Sequence, residues 1–225
     1  MPKKPGFAPG LDRDEILACA LELADECGIE AVSMRRLAAA VGCAPMTLYT
    51  YFDGIQEIRA GVVALAFREV DADPMPEERW DDTIRRTMGS IRAMYLRHSK
   101  ADLFKVEMSG YAGPLVEHTA RIYALHEAQG IPAPILKRAW CVIDAFLGGF
   151  IPAELTELNA RPEHPDPEGH TWMETAEAAY TEESFASGVE IIIAGIRAIA
   201  APDPCDWATP PGVRTCALRM PATLS

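Results

Sequence analysis

Residues 33–52 read SMRRLAAAVGCAPMTLYTYF, and the rest of the chain is organised around them. Met34, Leu37, Ala38 and Val41 recur at helical spacing, so a first short helix has one apolar face. Gly42 supplies the permissive backbone that ends a helix, and Pro45 is pre-set for the first turn of the next. From Pro45, Leu48 and Phe52 lie four residues apart on one face. Met46, Thr47, Tyr49, Thr50 and Tyr51 stay largely outside that stripe. A short helix with its core face used and its other face small, polar and aromatic suits a major-groove reader. The stretch reads as a helix-turn-helix.

The run Leu37-Ala38-x-x-Val41-Gly42-x-Ala44-Pro45-Met46-Thr47-Leu48-Tyr49-x-Tyr51-Phe52 resembles the DNA-binding domain of TetR-type transcriptional regulators, over about residues 11–70 without a gap. The resemblance implies a homodimer that places two reader helices in successive major grooves of a near-palindromic double-stranded operator, about 34–36 Å or a multiple apart. It also implies a small-molecule effector, of unknown identity, whose binding moves the fourth helix and favours a DNA-incompetent state. Arg35, Arg36, Thr47, Tyr51 and Lys3 or Lys4 would hold the DNA backbone. Ala44, Pro45, Met46, Tyr49 and Thr50 would lie nearest base edges. Two positions depart from the family pattern: Ile55 stands where most members have a phosphate-contacting lysine, and Ala44 where a hydroxyl often caps the reader helix. With no base-facing Arg, Asn or Gln, thymine methyls and DNA shape are expected to carry more of the specificity.

A chain of 225 residues, 49% hydrophobic and 24% charged, has room for one large domain or two small ones. The net charge of −12 at first opposes a nucleic-acid partner. Its distribution weakens that objection: residues 1–60 carry six Lys/Arg against nine Asp/Glu, but residues 31–52 hold two arginines and no acid. Each phosphate contact adds about 0.9 to the salt slope, so few cations predict modest non-specific affinity and a need for dimerisation. No run approaches the roughly 18 uninterrupted apolar residues of a membrane helix, and the N-terminus lacks the apolar core of a secretory signal. The expected setting is the cytoplasm, with no membrane partner. The six cysteines form no Cys-x-x-Cys pair and are expected to be buried free thiols, and the five histidines show no zinc-type spacing. No cofactor, metal or catalytic residue is expected, since no nucleophile–base pair, phosphate loop or metal cluster can be read.

Taken in order, residues 1–10 read as a flexible arm, 11–56 as the helix-turn-helix domain, 57–201 as a helical effector-binding and dimerisation domain, and 202–225 as a poorly ordered tail. Asp12 with Glu15 forms a capping-box pattern at the first helix, whose stripe is Ile16, Ala20, Leu23 and Cys27 with Leu17, Leu21 and Ala24 beside it. Ser33 caps the second helix. Asp53, answered by Gln56, is expected to cap the fourth. Helices then follow from Trp80 to near His98-Ser99, and over Leu103–Met108, Leu115–Leu125, Pro134–Leu158 (bent at Pro152) and Trp172–Ala179, with a last one from Thr181 or Glu182. No strand pattern is present, so the fold class is all-α. The long helix, with Leu147-Gly148-Gly149-Phe150, and the last, with Ala186, Gly188, Ala194, Gly195 and Ala198, resemble the family's dimer helices.

The resemblance also implies an effector cavity lined by apolar, aromatic and Met side chains with few polar anchors. Candidates are Met94, Phe104, Met108, Tyr111, Tyr123, His126, Trp140 and Asp144. Asp144, amid Trp140 to Leu147, would be costly to bury unpaired. It is open between ligand anchor, partner of an arginine across the dimer, and acceptor of a backbone amide. Two other readings stand beside the regulator: a helical ligand-binding protein that has lost DNA contact, and an all-helical enzyme.

Overall fold

The computed structural model describes residues 12–73, 75–106, 113–159 and 180–199. Among these residues the chain is all-helical: α1 (Arg13–Cys27), α2 (Met34–Ala40), α3 (Pro45–Leu48), α4 (Ile55–Phe67), α5 (Trp80–Arg97), α6 (Gly113–Ala128), α7 (Ala133–Asn159) and α8 (Glu182–Ile199), with 3-10 turns at Ile29–Ala31 and Leu103–Lys105. The helix expected over Leu103–Met108 is present only as that 3-10 turn in its described part. Lys3, Lys4, Met108, Tyr111, the helix expected over 172–179 and the tail lie outside the described residues.

The helices gather into two compact units. One comprises Met1–Val70 with Ala93–His118, the other Asp71–Arg92 with Thr119–Ser225. In the first, Asp12 and Glu15 form the full reciprocal capping box, and α1 buries Ile16, Leu17, Ala20, Leu21 and Ala24. Its stripe stops short of the expected Cys27, which is exposed and whose Sγ lies 3.4 Å from Arg36 Nη2. α1 packs on α4 at Gly61, where an added Cβ would lie 2.6 Å from Leu17 Cδ2. Glycine there sets how near the two helices come. His98, buried, joins the ends of three elements: its Nδ1 lies 2.9 Å from Asp25 Oδ1 and its Nε2 3.1 Å from Glu69 Oε1. Three rings form a chain of contacts, Phe67 edge-on to Tyr95 and Tyr95 stacked on Phe104 with centroids 4.0 Å apart.

The second unit is tied by ion pairs around the buried start of α5. Asp81 accepts from Arg79 at 3.1 Å, from Arg85 at 3.2 Å and from Arg197 of α8. Burial works against its charge, and the arginines more than offset it, holding the carboxyl below its ordinary range. Arg92 grips the buried Glu154 of α7 through two hydrogen bonds of 2.8 and 2.5 Å. α7 packs on α8 around Phe146, Phe150 and Phe185. Gly188, expected among the dimer-facing small residues, is spent inside the chain's own fold: a Cβ there would meet the Phe146 ring at 2.4 Å. α7 is assigned as helix straight through Pro152.

Candidate nucleic-acid interface

Ser33 starts α2, its Oγ accepting the Arg36 backbone N–H at 3.3 Å. Leu37 and Ala38 are buried. The helix stops in a Schellman arrangement: Cys43 N–H reaches the Ala38 carbonyl at 2.9 Å and Gly42 N–H the Ala39 carbonyl at 3.4 Å, with Gly42 at φ 72. A side chain at that positive φ would be strained, so the glycine makes the sharp turn between the two helices.

α3 follows with Pro45 in its first turn. As the sequence implies, no side chain caps it at Ala44. The reader helix is short: α-helix covers Pro45–Leu48, and Tyr49–Tyr51 continue as turns through Thr50 N–H to the Thr47 carbonyl and Tyr51 N–H to the Leu48 carbonyl. Leu48 and Phe52 are buried beneath it. Met46 is 74% exposed and Tyr49 50% exposed, large apolar surface that the chain leaves uncovered. Ala44, Pro45 and Thr50 are exposed too, while Thr47 and Tyr51 are half-buried.

The two arginines of α2 are both exposed but not equivalent. Arg36 bends back onto its own domain, donating to the Ala31 carbonyl at 3.3 Å and to Cys27 Sγ. Arg35 makes no such described contact and is the freer cation.

Sequence reasoning missed what holds the reader in place. Arg13 of α1 donates to the Tyr51 carbonyl and, at 2.5 Å, to Glu57 Oε1, while its guanidinium sits 4.3 Å from the centre of the Phe52 ring. Glu57 in turn accepts the Asp53 backbone N–H at 2.5 Å through Oε2. The cap expected from Asp53 and Gln56 is absent: α4 starts one residue later, its N-cap Gly54 has no side chain to offer, and Glu57 Oε2 takes the Asp53 N–H. Burial raises the Glu57 carboxyl, but the Arg13 and Asp53 hydrogen bonds prevail and hold it below the ordinary range. Arg59 of α4 donates to the Glu30 and Val32 carbonyls at 3.0 and 3.1 Å and so fixes the entry to α2.

The candidate pocket residues fall into both units. Met94 and Phe104 belong to the first, where Met94 is buried and Phe104 stacks on Tyr95. Tyr123, His126 and Trp140 come together in the second, the Trp140 ring centroid 6.5 Å from each of the other two. Asp144 is exposed on α7, so the desolvation argument made for it does not hold. Cys141, expected to be buried, is exposed on the same helix.

The profile described as "Bacterial regulatory proteins, tetR family" matches residues 16–62, the segment carrying this helix-turn-helix. The chain is 27% identical over 195 residues to the HTH-type transcriptional repressor DrrR1 of Streptomyces coeruleorubidus, covering 85% of this chain and 70% of that protein. Its fold matches the TetR family protein ActR of Streptomyces coelicolor in complex with actinorhodin, with a TM-score of 0.68 at 22% identity, covering 85% of this chain and 97% of ActR. It also matches BioQ with its natural double-stranded DNA operator, with a TM-score of 0.59 at 20% identity, covering 83% and 98% of the two chains. A reader fold with an exposed apolar and aromatic face, a family profile over that same segment and fold matches over most of the chain agree: residues 16–62 form a helix-turn-helix domain of the TetR-family type.

Proposed function

We propose that the protein is a repressor that binds a near-palindromic double-stranded operator as a homodimer and leaves it when a small-molecule effector binds. The observation that carries this reading is the uncovered face of the reader, Met46 and Tyr49 above all, beside a segment with two arginines and no acid. Ala44, Pro45, Met46, Tyr49 and Thr50 meet base edges; Arg35, Arg36, Thr47, Tyr51 and the arm lysines Lys3 and Lys4 meet the backbone. The repressor DrrR1 and the operator-bound BioQ support the same role for the relatives.

Dimerisation is supported by apolar surface left on α7 and α8. Val142 is 54% exposed and Ile191 72% exposed. Exposed Ala145, Gly148 and Gly149 accompany the first, and exposed Ala194 and Ala198 the second. By length and composition α7 would suit a membrane, and only 28% of its most apolar window is buried within the chain. A second copy is the better cover, because Asp144, Gly148 and Gly149 lie exposed along it and small residues favour close helix approach. Such a protein works in the cytoplasm.

The test is a salt-titrated binding assay of the dimer on the DNA flanking its own gene. Retardation that weakens with salt, and that Tyr49→Ala reduces without unfolding the protein, is the expected result. A folded dimer that shows no retardation at low salt refutes the reading and favours a ligand-binding protein without DNA contact.

A further inference from the structure

Three polar side-chain atoms on α6, on the turn after it and on α7 are buried without a hydrogen-bond partner: His126 Nδ1, Gln129 Oε1 and Trp140 Nε1. His126 is only 1% exposed. Gln129 is oriented by its other end, since Nε2 donates to the Glu78 carbonyl at 3.2 Å and to Thr83 Oγ1 at 2.6 Å. Its side chain also interacts with His126, where it favours the protonated ring, and its carbonyl oxygen keeps acceptor capacity to spare. Native proteins satisfy nearly all such groups, so a cluster of three points to something that binds there.

We propose that His126, Gln129 and Trp140 form the polar anchor of the effector site, and that the effector is an uncharged, planar aromatic molecule bearing a hydroxyl group. This rests on the regulator reading above. The indole offers a donor, the amide an acceptor, and an imidazole nitrogen serves as either, a set that one hydroxyl, donor and acceptor at once, can satisfy. The rings supply the flat walls: Trp140 lies 31° from the plane of Tyr123 and 62° from that of His126. Such faces suit a planar partner. Among the described residues, the charges beside the site are already paired or exposed. Glu78 and Arg86 are paired at 2.7 Å, Arg86 also holds Asp71, and Asp144 is exposed. Burial keeps the His126 ring neutral, its pKa lowered to about 4. Water alone would satisfy the polar atoms but make no use of the rings.

The experiment is equilibrium dialysis of the full-length, DNA-free protein against 2-naphthol, naphthalene and 2-naphthoate at neutral pH. Saturable 2-naphthol binding, at least about tenfold tighter than either of the others, is expected. Trp140→Phe and His126→Phe should each weaken it by about five- to tenfold and leave naphthalene within about twofold. Trp140→Phe is the conservative variant and decides the question if His126→Phe misfolds. Equal binding of 2-naphthol and naphthalene, or 2-naphthol binding indifferent to Trp140→Phe, overturns the proposal and leaves the atoms to water. Because DNA is absent, the two readings fail separately: lost naphthol selectivity with intact operator binding sinks only the anchor. Selective naphthol binding with no operator binding sinks only the regulator.

Discussion

Replacing Arg13 with methionine removes a guanidinium that touches three parts of the reader while keeping an aliphatic stem over Phe52. The ion pair with Glu57 is part-exposed, with side chains 51% and 18% accessible, and contributes about 0.5–1 kcal/mol. The charge over the Phe52 ring adds about 0.5 kcal/mol at such a site, and the charged hydrogen bond to the Tyr51 carbonyl about 1 kcal/mol. These contacts share one group and are not additive, so a loss of about 1.5–2 kcal/mol is expected in urea unfolding. Operator affinity should fall as well, because Tyr51 and Phe52 end the reader that Arg13 holds. The slope of log affinity against log salt tells how. A phosphate-contacting cation carries about 0.9 of slope; a positioning residue carries none. The expected outcome is weaker binding at unchanged slope, with Glu57→Gln largely non-additive to Arg13→Met. Unchanged stability together with a slope reduced by about one would refute the reasoning and make Arg13 a DNA contact.

Other outcomes follow from single sites. Ile191→Glu, on a side chain 72% exposed in the protomer, should shift sedimentation toward monomer without loss of helix content; an unaltered dimer would move the interface elsewhere. Ala44→Ser offers the missing N-cap of α3 an acceptor and should raise the urea midpoint by up to about 1 kcal/mol of stability. Acid should act through His126: burial lowers its pKa from 6.5 to about 4, so the unfolded chain takes up the proton first. Its contribution is complete above pH 6.5 and is lost as pH falls toward 4, so a folded His126→Phe variant should show a flatter stability curve across that window in urea titrations.

The parts of this protein legible in its sequence are those made between near neighbours. The Asp12–Glu15 capping box, the Ser33 cap, the Gly42 turn and Pro45 in the first turn of the reader all act within about five residues. Amphipathic periodicity, also short-range, placed α5 and α7 and the buried Leu48 and Phe52. What the sequence left open depends on how helices approach. Arg13 reaches partners 38 and 44 residues away, tying the end of the reader to Glu57 in the first turn of α4. Gly188 is consumed by the Phe146 ring, and Asp144 faces solvent despite its apolar neighbours in sequence. Along the chain Tyr123, His126 and Trp140 are pocket candidates by residue type alone; only the meeting of α6 and α7 brings their rings together and leaves the imidazole Nδ1 and the indole Nε1 without partners. Helical spacing fixes which residues share a face, while the identity of what that face meets is a property of the assembled chain.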